Sequence, residues 1–414
     1  MMNRAALTTV FTLSFLTYLA PDLSAGVQAI PLIAFAVLVF FKVYSSGSVM
    51  SAVESLCAPD SLAFVLFLSL LLFGTSIQSR LDSSWEFALV LAACLGLARL
   101  YMAVVPLQEV LEAFFWSAVV SIGIFVPMSI VGFVEAVTTF ARFSPFGFHP
   151  NLLAFLFGGY FCAMVWKFVT GSWRIRILAG TLGVVCLVII FFASSRGAIA
   201  GLVAASAVVG GVATVRGRRH SGLPWRRIAI VATVILAVGY QVHSSQLFET
   251  GYDFVDQVLA LSDPNRGVDT GLTGRLDKWQ ETMKAFSDGT WLSGHGLRSS
   301  DSMEQLIDNS YLVLLYEVGL IPMMLIVARF AVVVGRFLIA YARSGDKELR
   351  SVHLACSLLV LAFVVNNIVD RHLFSVGNPY SLLGLLFFVS PVSPVQARSA
   401  SYQTSEVFDV QIDS

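Results

Sequence analysis

The chain has 414 residues, 57% of them hydrophobic and only 13% charged, with a formal net charge of zero. Its mean hydropathy is +0.80. These values exclude an ordinary soluble domain and indicate a polytopic membrane protein; the balanced charge singles out no partner class, and no nucleic acid is expected.

Apolar runs long enough to cross a bilayer core of about 30 Å recur from end to end. Twelve spans are read near 5–20, 27–44, 61–78, 86–105, 111–134, 151–169, 176–195, 197–216, 227–243, 310–335, 350–369 and 378–392. The expected fold is all-α: an integral membrane domain over 1–392 with one long extracytoplasmic loop, 244–309. The polar, Ser-rich tail 393–414 is expected to be disordered and cytoplasmic. The first run also fits a cleaved signal peptide, with Arg4, an apolar core and "LSAG". The later topology needs it as a span. The cysteines Cys57, Cys94, Cys162, Cys186 and Cys356 show no paired spacing, so no disulfide framework or structural zinc site is expected.

Basic residues set the orientation. "RGRRHSGLPWRR" after the eighth span should be cytoplasmic. Two connections away on either side lie Lys167, Arg174 and Arg176, then Arg336, Arg343, Lys347 and Arg350. That even spacing is what twelve spans with both termini inside would produce. The intervening connections then face outward, including "ARFSPFGFHPN" (141–151), the turn at Arg196, the loop 244–309 and "DRHLFSVGNP" (370–379).

From Thr181 to Thr214 the one charged residue is Arg196. A charge in so long an apolar run is costly unless it reaches water or a partner, and it marks a functional candidate. "FFASSRGAIAG" (191–201) reads as a tight helical hairpin whose Ser194, Ser195 and Gly197 let the guanidinium reach the outer surface. Taken alone, Arg196 also fits a snorkelling interface arginine. It has company on that side: Arg142, His149, Arg275, His295, Asp308, Arg371 and His372. Arginine's planar fork suits a diphosphate. The apolar spans hold Glu86, Arg99, Glu317 and Arg329, which form no obvious set and read singly as structural ion pairs or interface residues.

Within the long loop, "TGRLDKWQETMKAF" (273–286) puts Leu276, Trp279, Met283 and Phe286 on one helical face, with Thr273 a candidate cap. It reads either as an amphipathic helix over the membrane mouth or as one packed on other loop residues. Arg275 stands at its N-terminal end, where backbone N–H groups also favour anions. Farther on, Gly294 and Gly296 flank His295, and Asp308-Asn309 marks re-entry into the membrane. Asp308 there would either take a proton from an attacking hydroxyl or cap the tenth span.

"RFSPFGFHPNLLAFLFGG", "FFASSRGAIAGL", "TGRLDKWQETMKAFSDGTWLSGHGL" and "DNSYLVLLYEVGLI" resemble, in order and spacing, the O-antigen ligase/O-antigen polymerase superfamily, over roughly residues 140–385. The resemblance implies a glycosyltransferase of GT-C-like architecture in the bacterial inner membrane, its active site facing the periplasm. The implied donor and partner is an undecaprenyl-diphosphate-linked glycan, with membrane lipids and a chain-length regulator protein as further partners. It implies that Arg196, Arg275, Arg142 and Arg371 hold the diphosphate, that His149, Asn151, Asn309 and His372 contact substrate, and that Asp308 or His295 acts as base. Ligases of this kind show a His-Asn pair where this chain has Asp308-Asn309, a departure that suits a polymerase better. A ligase is the alternative, and a flippase for lipid-linked oligosaccharide a second one. No Asp-x-Asp motif or metal-ligand spacing occurs, so the expected enzyme uses no metal and no cofactor.

Overall fold

The structure, a computed structural model, describes residues 2–18, 25–45, 82–139, 141–217, 275–284, 291–292, 294–302, 309–373 and 378–390. The expected spans at 61–78 and 227–243, most of the long loop with Asp308, and the tail 393–414 lie outside them. Among the described residues every regular element is helical. In chain order these are α1 (Met2–Tyr18), α2 (Ala25–Ser45), α3 (Asp82–Val104), α4 (Leu107–Thr139), α5 (Pro150–Thr170), α6 (Trp173–Phe192), α7 (Arg196–Gly217), α8 (Arg275–Lys284), α9 (Ser310–Val318), α10 (Leu320–Arg343), α11 (Lys347–Asn366) and α12 (Pro379–Val389).

Among the described residues, six segments are long and apolar enough to cross a membrane: Ser84–Val104, Leu107–Thr139, Pro150–Thr170, Trp173–Phe192, Leu320–Arg343 and Lys347–Asn366. Ala29–Ser45, Arg196–Val212 and Pro379–Val389 are shorter apolar helices. The chain is a multi-pass membrane protein. Polar contacts gather several helix ends at one side of the fold. Arg4 at the start of α1 and Lys167 at the end of α5 both reach Glu112 near the start of α4. Gln108 Nε2 donates to Glu348 Oε1 (2.7 Å) at that same end.

Lipid tails are as apolar as leucine, so helices here associate through shape and local polar bonds rather than by escaping water. Aromatic edges supply much of that shape. Phe11 meets Phe114 at 5.4 Å, and Phe125 meets Phe157 at 5.2 Å. Small residues supply the rest: a Cβ on Gly159 would sit 2.7 Å from the Tyr380 ring, and one on Gly384 2.7 Å from Phe363. Both glycines admit α12, an 11-residue helix buried along its whole length.

That short helix ends among arginines. Arg99 Nη1 donates to the Val389 carbonyl (2.9 Å), and Arg329 donates to those of Phe388 and Ser390 (both 2.8 Å). Read singly in the sequence, Arg99 and Arg329 formed no set; in the fold they converge to satisfy the orphan carbonyls of one helix end. The expected tenth span, 310–335, is also divided. Gly319, with φ +84°, separates α9 from α10.

Candidate functional site

The turn between α6 and α7 is held by the segment before α5. Ser194 takes a left-handed φ of 54°, and its N–H bonds the Phe191 carbonyl (2.9 Å). Arg142 Nε donates to the Ala193 carbonyl (3.2 Å), while Nη2 donates to Asn151 Oδ1 (2.7 Å). The Phe143 N–H adds a bond to the Phe192 carbonyl (2.9 Å). Arg142 and Asn151, singled out separately in the sequence, therefore form one unit with the hairpin tip that carries Arg196.

The first turn of α7 presses on the end of α11. A Cβ at Gly197 would overlap the Val369 side chain, and one at Gly201 would sit 3.4 Å from the Asn366 backbone nitrogen. Glycine is needed there for approach, so Arg196 lies beside the chain that leads to Arg371 and His372.

Ser310 pins that chain to the start of α9. Its hydroxyl lies 2.7 Å from Asn367 Oδ1 and 2.9 Å from the Asp370 carbonyl, its one proton shared between them, and accepts from the N–H of His372 (3.0 Å) and Leu373 (3.3 Å). Asn309 caps α9, its Oδ1 accepting from the N–H of Tyr311 (2.9 Å) and Leu312 (3.1 Å). Such a cap contributes about 1 kcal/mol. Asp308 lies outside the described residues.

Arg371 is ion-paired on two sides. Its Nη2 lies 2.5 Å from Asp301 Oδ1 and 3.6 Å from Glu317 Oε1. Arg298 bonds the other Asp301 oxygen (2.7 Å), and the buried Ser300 hydroxyl donates to Glu317 (2.5 Å). Partial burial opposes the charged form of Asp301, but the hydrogen bonds and charges of Arg298 and Arg371 prevail and hold its carboxyl below the ordinary value.

His295 belongs to the same network through the backbone. Residues 291–292 and 294–296 lie against the break between α9 and α10: His295 N–H bonds the Tyr316 carbonyl (2.9 Å), Gly296 N–H that of Glu317 (2.7 Å), and Leu320 N–H that of Trp291 (2.9 Å). Gly294 (φ +70°) and Gly319 (φ +84°) face each other there, each with no room for a Cβ. The His295 ring stacks on Tyr316 at 4.2 Å, with Nδ1 3.1 Å from the Tyr316 carbonyl. A carbonyl can only accept, so Nδ1 carries a proton.

His149 is near enough to His372 to act on it electrostatically. Dense packing, the His149 imidazole and the Arg371 guanidinium push the His372 pKa down to about 3. Its ring lies 4.9 Å from that of Phe155. The imidazole is neutral at any ordinary pH.

The loop helix is present as α8 and packs near α9. Its burial departs from the expected face in part: Trp279 is half-buried, but Thr282 is buried and Met283 is 53% exposed. Arg275 begins that helix, and its side chain lies outside the description. The fold thus links Arg142, Asn151 and the Arg196 turn to Arg371, His372, His149, Asn309 and His295. Sequence reasoning missed Ser300, Asp301, Ser310 and Asn367, and read Glu317 as a residue of no set. "DNSYL" and "NNIVDRH" held the polar residues, but no local pattern showed that they pair.

A family model described as O-antigen ligase matches residues 181–327. The match runs from α6 through the Arg196 turn to α10, and it supports the O-antigen ligase/polymerase superfamily that the motifs resemble. Members are membrane glycosyltransferase-like enzymes of O-antigen and polysaccharide biosynthesis. No curated protein matches the chain.

Proposed function

We propose that this protein is a polysaccharide polymerase that joins undecaprenyl-diphosphate-linked repeat units on the outer face of the bacterial inner membrane. The observation that carries the reading is the junction of the Arg142–Arg196 hairpin tip with the 366–373 loop, since it gathers cationic and neutral imidazole groups at one end of the helices. The acceptor hydroxyl attacks the anomeric carbon of the lipid-linked sugar, and the bond from that carbon to the diphosphate oxygen breaks. Undecaprenyl diphosphate leaves with its charge matched by Arg196, Arg275 and Arg142. Electrostatic stabilisation of that leaving group is the main task of such a protein.

Asp308 or His295 takes the hydroxyl proton, a contribution of about 10²–10⁴-fold. His295 is suited to it because its Nδ1 proton is committed to the Tyr316 carbonyl. His372 is too weak a base and is assigned to substrate contact with His149 and Asn151. Arg371, already faced by Asp301 and Glu317, is assigned to holding the loop rather than gripping the donor. No metal or cofactor enters this scheme, and a chain-length regulator is the protein partner proposed for it.

A ligase is the second reading, favoured by the description of the matched family. Asp308 in place of the ligases' histidine favours the polymerase. Neither the family match nor the site supports a flippase. The test is glycan length in cells. Substituting Arg196→Ala should leave single repeat units on their final carrier, with unpolymerised lipid-linked repeats accumulating outside. Long chains stranded on undecaprenyl diphosphate would instead identify a ligase.

A further inference from the structure

The loop ahead of α9 turns two large apolar side chains outward. Trp291 is 42% exposed and Leu292 47%, whereas Leu297 is buried and its carbonyl accepts from the Ser84 hydroxyl (2.5 Å). The loop can therefore bury a leucine, yet leaves this pair uncovered. Both residues are fixed to the start of α10. The Trp291 carbonyl accepts from the Leu320 N–H (2.9 Å), and a Cβ on Gly319 would overlap the Leu292 carbonyl.

The next residues of α10 begin an apolar stripe. Ile321 and Met324 are exposed, and Ala328, Val332 and Ile339 continue at helical spacing. Every exposed residue from Ile321 to Ile339 is apolar, as suits a face that meets lipid chains. Trp291 and Leu292 stand at the upper end of that stripe, so the apolar surface runs on from the span to the loop. Depth agrees with this. From Arg343, the basic residue of its last turn, back to Leu320, α10 rises about 35 Å. A bilayer core is roughly 30 Å thick. With Arg343 at the cytoplasmic edge, the orientation expected from the basic residues, Leu320 emerges in the opposite headgroup layer.

We propose that Trp291 and Leu292 anchor the loop in the outer leaflet, their side chains seated where headgroups meet acyl chains. Continuity with the lipid face of α10 selects the bilayer as occupant. So does the tryptophan, whose apolar body and single N–H suit that boundary. The anchor reaches the site through the backbone, since His295 follows closely and its N–H is bonded to the Tyr316 carbonyl (2.9 Å). The bilayer surface thereby holds the imidazole at headgroup level, the depth of a lipid-linked diphosphate. This consequence rests on the function proposed above; the anchor does not.

The experiment uses the full chain in nanodiscs of phosphatidylethanolamine and phosphatidylglycerol. The chain has 7 tryptophans, so the Trp291 signal is the emission lost in Trp291→Phe. That signal should be blue-shifted, quenched at least twofold by lipids brominated high on the acyl chain, and insensitive to aqueous iodide. Leu292→Trp in the Trp291→Phe background should restore a lipid-quenched signal. Quenching by iodide alone places the pair in water and overturns the anchor. A signal that neither quencher reaches shows a cover of protein, a second copy or a partner, and overturns it too. Trp291→Glu combined with Leu292→Glu should lower glycan elongation at least tenfold, and Trp291→Phe should leave it unchanged. Lipid quenching together with normal elongation in the double glutamate variant upholds the anchor and removes its effect on the site. Lipid quenching together with normal elongation in His295→Ala upholds the anchor and removes His295 from the reaction.

Discussion

Arg371 lies 2.5 Å from Asp301, joining the last turn-rich stretch before α12 to the loop strip that precedes α9. Glu317, buried at 6% side-chain exposure, faces the same guanidinium at 3.6 Å. The two carboxylates differ in how much they should matter. An exposed pair contributes at most about 1 kcal/mol, whereas breaking a buried one costs about 3–5 kcal/mol. Glu317→Gln should therefore lower the melting temperature in detergent by several degrees, and Asp301→Asn by much less. Equal losses would show that burial does not govern this cluster.

The approach of α7 to α11 gives a steric prediction. Gly197→Ala should clash with Val369 and reduce glycan elongation about tenfold or more, whereas Gly211→Ala, where a Cβ meets nothing, should have no effect. Val369→Ala should restore activity to the Gly197→Ala protein. Polymer length on gels reads all four chains.

Acid should loosen the loop at 370–373. His372 is neutral when folded, its pKa about 3, but binds a proton near 6.5 once unfolded. Its contribution is thus intact above pH 6.5 and is lost progressively as pH falls toward 3. The lowered Asp301 carboxyl acts in the same direction at lower pH, its stabilisation present above the ordinary carboxylate value and lost as pH falls through the lowered one. Melting temperature measured from pH 7 to pH 4 should decline, and less steeply in His372→Asn. An unchanged slope in that variant would contradict the assignment.

The arginines under α12 carry a further expectation. Arg329→Met removes the donors to the Phe388 and Ser390 carbonyls. Arg336 still reaches the Ser390 carbonyl (3.4 Å), but the Phe388 carbonyl loses its arginine, and an unsatisfied buried acceptor costs about 1–3 kcal/mol. The variant should melt well below the parent, and Arg329→Lys, which can reach one carbonyl at a time, should recover only part of the loss.

What the sequence made legible follows from how local each signal is. A single charge in a long apolar run marked the Arg196 turn, and the fold has a helix break there with Ser194 in a left-handed conformation. Helical spacing also revealed α8, although Thr282 rather than Met283 is buried, because the burying surface belongs to another part of the chain. The Ser310–Asn367 bond joins residues 57 positions apart, and the Arg99–Val389 bond residues 290 apart. No local period encodes such partners. The expected span 310–335 ran straight through Gly319, whose role became clear only where Gly294 came to lie against it.

The central claim is that Arg196 and Arg275 grip one polyprenyl diphosphate. Its most direct test is the affinity of sugar-free undecaprenyl diphosphate for the parent, Arg196→Ala, Arg275→Ala and the double variant. Two guanidiniums on one ligand should each cost tenfold or more when removed, with a coupling of at least about 0.5 kcal/mol between the losses. Strictly additive losses, or a single variant that binds like the parent, would contradict the shared site.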